Sequence, residues 1–115
     1  MAHRLRRWKG CRPPAVTIPM NTIPLPRALE NFFVLQSDPG SQAGVLHLER
    51  GGATGPECDP ERDHSLLLIE GELVVEVDDA RQTIRPGVSL TIPAGVKHRV
   101  VNRSAVPALA FTVVA

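Results

Sequence analysis

Four side chains in this 115-residue chain are of types that ligate divalent metals: Glu57, Asp59, His64 and His98. Two carboxylates and two imidazoles are permissible ligands for Mn, Fe, Ni or Zn. Glu57 and Asp59 are two apart, so an extended backbone points both to one face and Cys58 to the other. If that segment is not extended, Cys58 becomes the alternative ligand. A plainer reading competes. Glu57 and Asp59 stand with Glu61 and Asp63 in an acidic stretch that water alone would satisfy, and Asp63-His64 reads equally as a surface pair. His47, flanked by Leu46 and Leu48 and sharing a face with Val45 and Glu49, reads as a packed or surface residue ahead of a ligand. His3 belongs to a basic head and says little about a site. Other chemistries find no footing. There is no Gly-x4-Gly-Lys-Ser/Thr phosphate loop, no Gly-x-Ser-x-Gly elbow and no Cys-x2-Cys pair.

The elements that must position these groups read as short strands. Asn31 to Gln36 is rich in β-formers and ends at Ser37-Asp38-Pro39-Gly40. Gly44 to Glu49 ends at Gly51-Gly52, and Ser65 to Ile69 is a continuous apolar run that stops at Glu70-Gly71. Leu73, Val75 and Val77 alternate with Glu72, Val74, Glu76 and Asp78, the pattern of a half-buried strand. Thr83-Ile84, Val88 to Ile92, His98 to Asn102 and Leu109 to Val114 complete the series, separated by Gly/Pro turns. No segment holds a sustained 3.6-residue apolar period, although 28–35 could open as a helical turn. The pattern predicts an all-β sandwich or barrel. Phe33, Leu35, Leu67, Ile69, Leu73, Val75, Val77, Phe111 and Val113 are expected in the core or lining a pocket. Phe32 or Phe33 is placed to cover a pocket mouth or meet a second subunit. The long polar loop 50–64 connects two strands, and long loops in compact domains often carry function.

One spacing is specific. Gly87, Pro93, Gly95, His98 and Asn102 match G-x5-P-x-G-x2-H-x3-N at every fixed position, and this resembles the second motif of the cupin superfamily. The resemblance implies an antiparallel double-stranded β-helix, or jelly-roll barrel, of the RmlC-like kind, spanning about residues 30–115. It implies a metal-ligand role for His98 and a structural or wall role for Asn102. The first family motif, G-x5-H-x-H-x3–4-E-x6-G, is matched at its closing glycine by Gly71. Counting back, His64 stands where the family has Glu, and Asp59 and Glu57 stand where it has two His. The fold signal survives while the ligand identities change. The resemblance thus implies a metal set of His98 and His64 first, then Asp59 and Glu57, holding Fe, Mn, Ni or Zn. Loss of the two family histidines also admits a metal-free barrel that binds an organic ligand.

Composition bounds the rest. The length is that of one domain. Residues 1–27 carry six basic residues, five prolines and no acid, while 28–115 carry seven basic and twelve acidic residues. We therefore expect an N-terminal arm or extension over 1–27, with Met20 an alternative start, and a single barrel over 28–115. An acidic domain with aromatics at 3% is a poor nucleic-acid partner. No apolar run approaches the ~20 residues that span a bilayer. Two cysteines make no disulfide framework, which points to a reducing, cytoplasmic setting. The use of Arg over Lys hints at a bacterial source. Two functions stay open: a metal-dependent cupin with dioxygenase- or isomerase-like chemistry on a small organic molecule, and a non-catalytic binding or sensing module. A homodimer is expected under either.

Overall fold

The computed structural model of the chain describes residues 22–25 and 31–115. His3, Cys11, Met20 and the arm boundary at residue 27 lie outside the described residues. The described residues form eight strands and no helix: β1 (Phe32–Ser37), β2 (Gln42–Leu48), β3 (His64–Glu70), β4 (Leu73–Val77), β5 (Ala80–Ile84), β6 (Ser89–Ile92), β7 (Arg99–Val101) and β8 (Ala108–Val114). One sheet runs β1-β2-β8-β3-β6 and the other β5-β4-β7. Every pairing is antiparallel, giving the all-β barrel that the strand pattern predicts, in the jelly-roll form that the family resemblance implies.

The core lies between the sheets. Leu46 and Leu48 of β2, Leu66 and Leu68 of β3, Leu73 and Val75 of β4, Ile84, Ile92 and Val100 form one buried cluster. Burying each such side chain contributes about 1.5–3 kcal/mol. The chain crosses from one sheet to the other at Gly71, where φ is +83° and a Cβ would lie 2.6 Å from the Pro107 carbonyl oxygen. Only glycine fits both the left-handed backbone and that close approach.

One expectation is corrected. Leu67 and Ile69, expected in the core or pocket, are 40% and 47% exposed, because β3 turns Leu66 and Leu68 inward. The run Ser65 to Ile69 is apolar throughout, so it has no alternation from which to read the phase. Phe33, Leu35, Phe111 and Val113 are half-buried. Leu67, Phe111 and Val45 stand in register across the outer face of the five-stranded sheet. The start of 28–35 lies outside the described residues, and its described part runs into β1 at Phe32.

Asn102 is fully buried and makes four hydrogen bonds. Its Nδ2 donates to the Leu48 and Val106 carbonyls at 3.0 and 2.8 Å. Its Oδ1 accepts from the Ser104 amide and hydroxyl at 3.0 and 2.7 Å. A buried amide with all partners made fastens the loop after β7 to β2. This is the structural role implied for it.

Candidate functional site

His64 opens β3 and is paired on both sides, with Ile92 of β6 and Val114 of β8, so its backbone is fixed in the sheet. His98 precedes β7 and faces Glu57 in an isolated antiparallel bridge. The Glu57 amide donates to the His98 carbonyl at 2.8 Å, and the His98 amide donates to the Glu57 carbonyl at 2.9 Å. Directly opposed residues share a face, so the Glu57 carboxylate and the His98 ring project together. The first motif therefore reaches the second through one β-bridge, and the loop that carries Glu57 is extended there.

These backbone placements bring three side chains together. One donor atom from each of Glu57, His64 and His98 lies within 4.8 Å of the others. His64 Nδ1 is 3.1 Å from His98 Nε2, and His98 Nε2 is 3.9 Å from Glu57 Oε2. His98 is buried and Glu57 half-open to solvent, so the cluster has an inner and an outer side. His98 Nδ1 lies 3.0 Å from the Val96 carbonyl oxygen. A carbonyl only accepts, so Nδ1 carries the proton and neutral His98 offers its Nε2 lone pair to the cluster. In this state the His64 Nδ1–H donates to that lone pair. Burial, followed by the neighbouring His98, pushes the His64 imidazole below its ordinary value of 6.5, with Asp59 opposing.

Asp59 lines the same cavity, but its carboxylate is directed elsewhere. Oδ1 accepts the amides of Glu61 and Arg62 at 2.9 and 3.0 Å, and Oδ2 accepts Arg62 Nε at 3.0 Å. The Glu61 amide, with Arg62 behind it, holds the Asp59 carboxyl below the ordinary 3.8. Cys58 is exposed and free on the cavity rim. His47 lies outside the cavity, its Nε2 3.8 Å from Glu49 Oε1. Asp63 fastens the turn before His98, accepting the Ala94 amide at 2.8 Å.

The cavity beside the cluster is about 430 Å³, within the range that takes a small molecule. Phe32, Ile92, Val96 and Val114 give it apolar walls, and Arg62 gives it a cation. Phe32 lies over the bare backbone of Gly44, where a Cβ would meet its ring at 2.7 Å. The residue types suit a divalent ion. The converging atoms are two imidazole nitrogens and a carboxylate, with the outer nitrogen of His98 tied to a backbone carbonyl as metal-binding histidines commonly are. Two nitrogens about 3.3 Å apart are what a tetrahedral ion with ~2.0 Å bonds requires, close to the 3.1 Å found. Sequence reasoning missed Arg62 and the Val96 carbonyl. Arg62 was legible as the one cation in the acidic run Glu57 to Asp63. A backbone carbonyl leaves no mark on sequence.

A family model described as the cupin domain matches residues 44–114. The chain is 35% identical over 65 residues to the tetracenomycin polyketide synthase protein TcmJ of Streptomyces glaucescens, a match covering 56% of this chain and 44% of that one. It thus spans less than half of that relative's length. Among solved structures, TT1209 from Thermus thermophilus superposes with a TM-score of 0.69 at 30% identity, over 73% of this chain and 80% of that chain. A sugar phosphate isomerase from a cupin superfamily, from Silicibacter pomeroyi, superposes with a TM-score of 0.61 at 28% identity, over 66% and 50% of the two chains.

Proposed function

The chain belongs to the cupin domain family, and on that premise we propose that it holds a divalent metal on Glu57, His64 and His98 and acts on a small organic molecule in the adjoining cavity. The observation that carries this reading is the convergence of three donor atoms within 4.8 Å. Two imidazoles and one carboxylate are the donor set that leaves open positions on a non-haem iron(II) ion. Iron is therefore the first metal to test, ahead of Mn, Ni and Zn. Once bound, such an ion supplies Lewis acidity or oxygen activation for dioxygenase- or isomerase-like chemistry. The protein's own part is positional. Val96 holds the His98 tautomer, the β3 pairings hold His64, and the apolar walls limit water. Asp59, tied to Arg62 and held acidic, is a weak base near neutrality and stays outside the donor set. The names of two relatives, a sugar phosphate isomerase and a polyketide synthase protein, support a small-molecule substrate without choosing a reaction.

Elemental analysis of protein purified without chelator tests the reading. Wild type is expected to retain metal. His64→Ala, His98→Ala and Glu57→Gln are expected to lose at least about 100-fold in metal affinity, since even outer-shell changes cost 10–100-fold, with the β-sheet circular dichroism retained. Equal metal content in wild type and variants would sink the reading.

The direct His64–His98 hydrogen bond favours a second reading, a metal-free module that binds or senses a small molecule. Metal-free wild-type protein that still binds a cavity ligand would select it. Under either reading we propose a homodimer through the outer face of the five-stranded sheet. Strands covered on both faces read as continuous apolar runs, as β3 does. The outer face of the other sheet carries charged pairs, with Glu76 3.6 Å from Arg81 and 3.3 Å from Arg103. A second copy supplies the same apolar patch, which a two-fold contact needs.

A further inference from the structure

Arg62 is the feature of the cavity that neither the ligand cluster nor the sequence motifs use. Its Nε is committed to Asp59 Oδ2 at 3.0 Å, and its backbone amide to Asp59 Oδ1 at 3.0 Å. Asp59 thereby fixes the guanidinium plane through one edge. No group among the described residues takes up the two terminal nitrogens of the fork, on a side chain that is 35% exposed and lines the cavity. A guanidinium held in this way is preorganised to accept a planar, two-oxygen anion. Its neighbours in the wall, Phe32, Ile92, Val96 and Val114, are apolar.

The charges around the cavity decide which anion. Glu57 and Asp59 contribute one negative charge each and Arg62 one positive, a net of −1. With a divalent ion on the cluster the net becomes +1. A monoanion neutralises that charge, whereas a dianion leaves an excess negative charge against apolar walls, which is costly. We propose that the cavity binds a small monocarboxylic acid with an apolar body, its carboxylate on the terminal guanidinium nitrogens of Arg62 and its body against Phe32 and the aliphatic wall. The assignment rests on the metal reading above, because without the ion the cavity repels anions.

Titration calorimetry on the full chain loaded with zinc, with loading measured by elemental analysis, tests the assignment. The probes are phenylacetate, its neutral amide phenylacetamide, and phenyl phosphate. Wild type is expected to bind phenylacetate at least about tenfold more tightly than phenylacetamide, the worth of a charge-assisted pair, and more tightly than phenyl phosphate. Arg62→Gln is expected to retain zinc and lose the preference for phenylacetate over the amide. Arg62→Lys, which keeps the charge without the fork, is expected to restore it only in part. Zinc uptake with an unchanged preference in Arg62→Gln overturns the assignment and leaves the metal reading standing. Tighter binding of phenyl phosphate than of phenylacetate overturns the choice of carboxylate. Wild type that takes up no zinc overturns the metal reading, and the carboxylate assignment falls with it.

Discussion

His98 has its value in the cluster because the Val96 carbonyl holds the proton of its other nitrogen. The tautomer is set by backbone, so it persists through any change of side chain at 96 that keeps the turn. His64 has a different constraint. Its imidazole is pushed below 6.5 mainly by burial, so the folded chain resists protonating it while the unfolded chain does not. The unfolded state then binds more protons in the window below 6.5. The stability that neutral His64 contributes to the metal-free protein is present above about pH 6.5 and is lost as pH falls through the depressed folded value. Denaturant midpoints across pH 7.5 to 5 are expected to fall toward acid, with a shallower slope in His64→Asn. Asn102 belongs to the same scale. Its side chain is fully buried and makes four hydrogen bonds, and Asn102→Ala leaves two carbonyls and two Ser104 donors to find other partners. We expect a loss of roughly 1–3 kcal/mol, read by thermal unfolding.

At the scale of elements, the site was legible where spacing fixes geometry and obscure where tertiary contacts decide. The turn Pro93-Ala94-Gly95 and the two-residue step to His98 could be read directly, and so could the return to Gly71 that placed His64. The alternation of Leu73 and Val75 gave β4 its inward face. The run Ser65 to Ile69 could not reveal which of its residues face inward, because leucines occupy both phases. Likewise the spacing of Glu57 and Asp59 put both on one face, and the cavity does include both. Spacing does not register Arg62, three residues on, which draws the Asp59 carboxylate away. The phase of β3 makes a sharp contrast available. Leu68→Ala is expected to cost about 2–5 kcal/mol through the cavity it opens. Leu67→Ala, one residue earlier and exposed, is expected to stay within about 1 kcal/mol in dilute monomer. Urea melts of the two variants check the assignment.

For the whole molecule, the asymmetry between the two sheets matters most. One carries ion pairs on its outer face, and the other carries Leu67, Ile69 and Phe111. A second protein surface is the cover we propose for that patch. No helix among the described residues is long and apolar enough to cross a membrane. Light scattering is expected to give twice the mass of one chain, and Leu67→Lys with Ile69→Lys to give the single-chain mass without loss of fold. A mass of one chain for wild type at micromolar concentration would count against the dimer. Phe32 and Gly44 add a consequence for change over generations. The wall ring stands on β1, the outermost strand of its sheet among the described residues, and rests on a residue that has no side chain. A Cβ at Gly44 would also meet the Phe33 carbonyl oxygen at 2.9 Å, so the bore of the chamber is altered most readily at Phe32, well before Glu57, His64 and His98 in the chain. A lineage carrying this barrel can adapt to bulkier or slimmer molecules without disturbing the imidazoles.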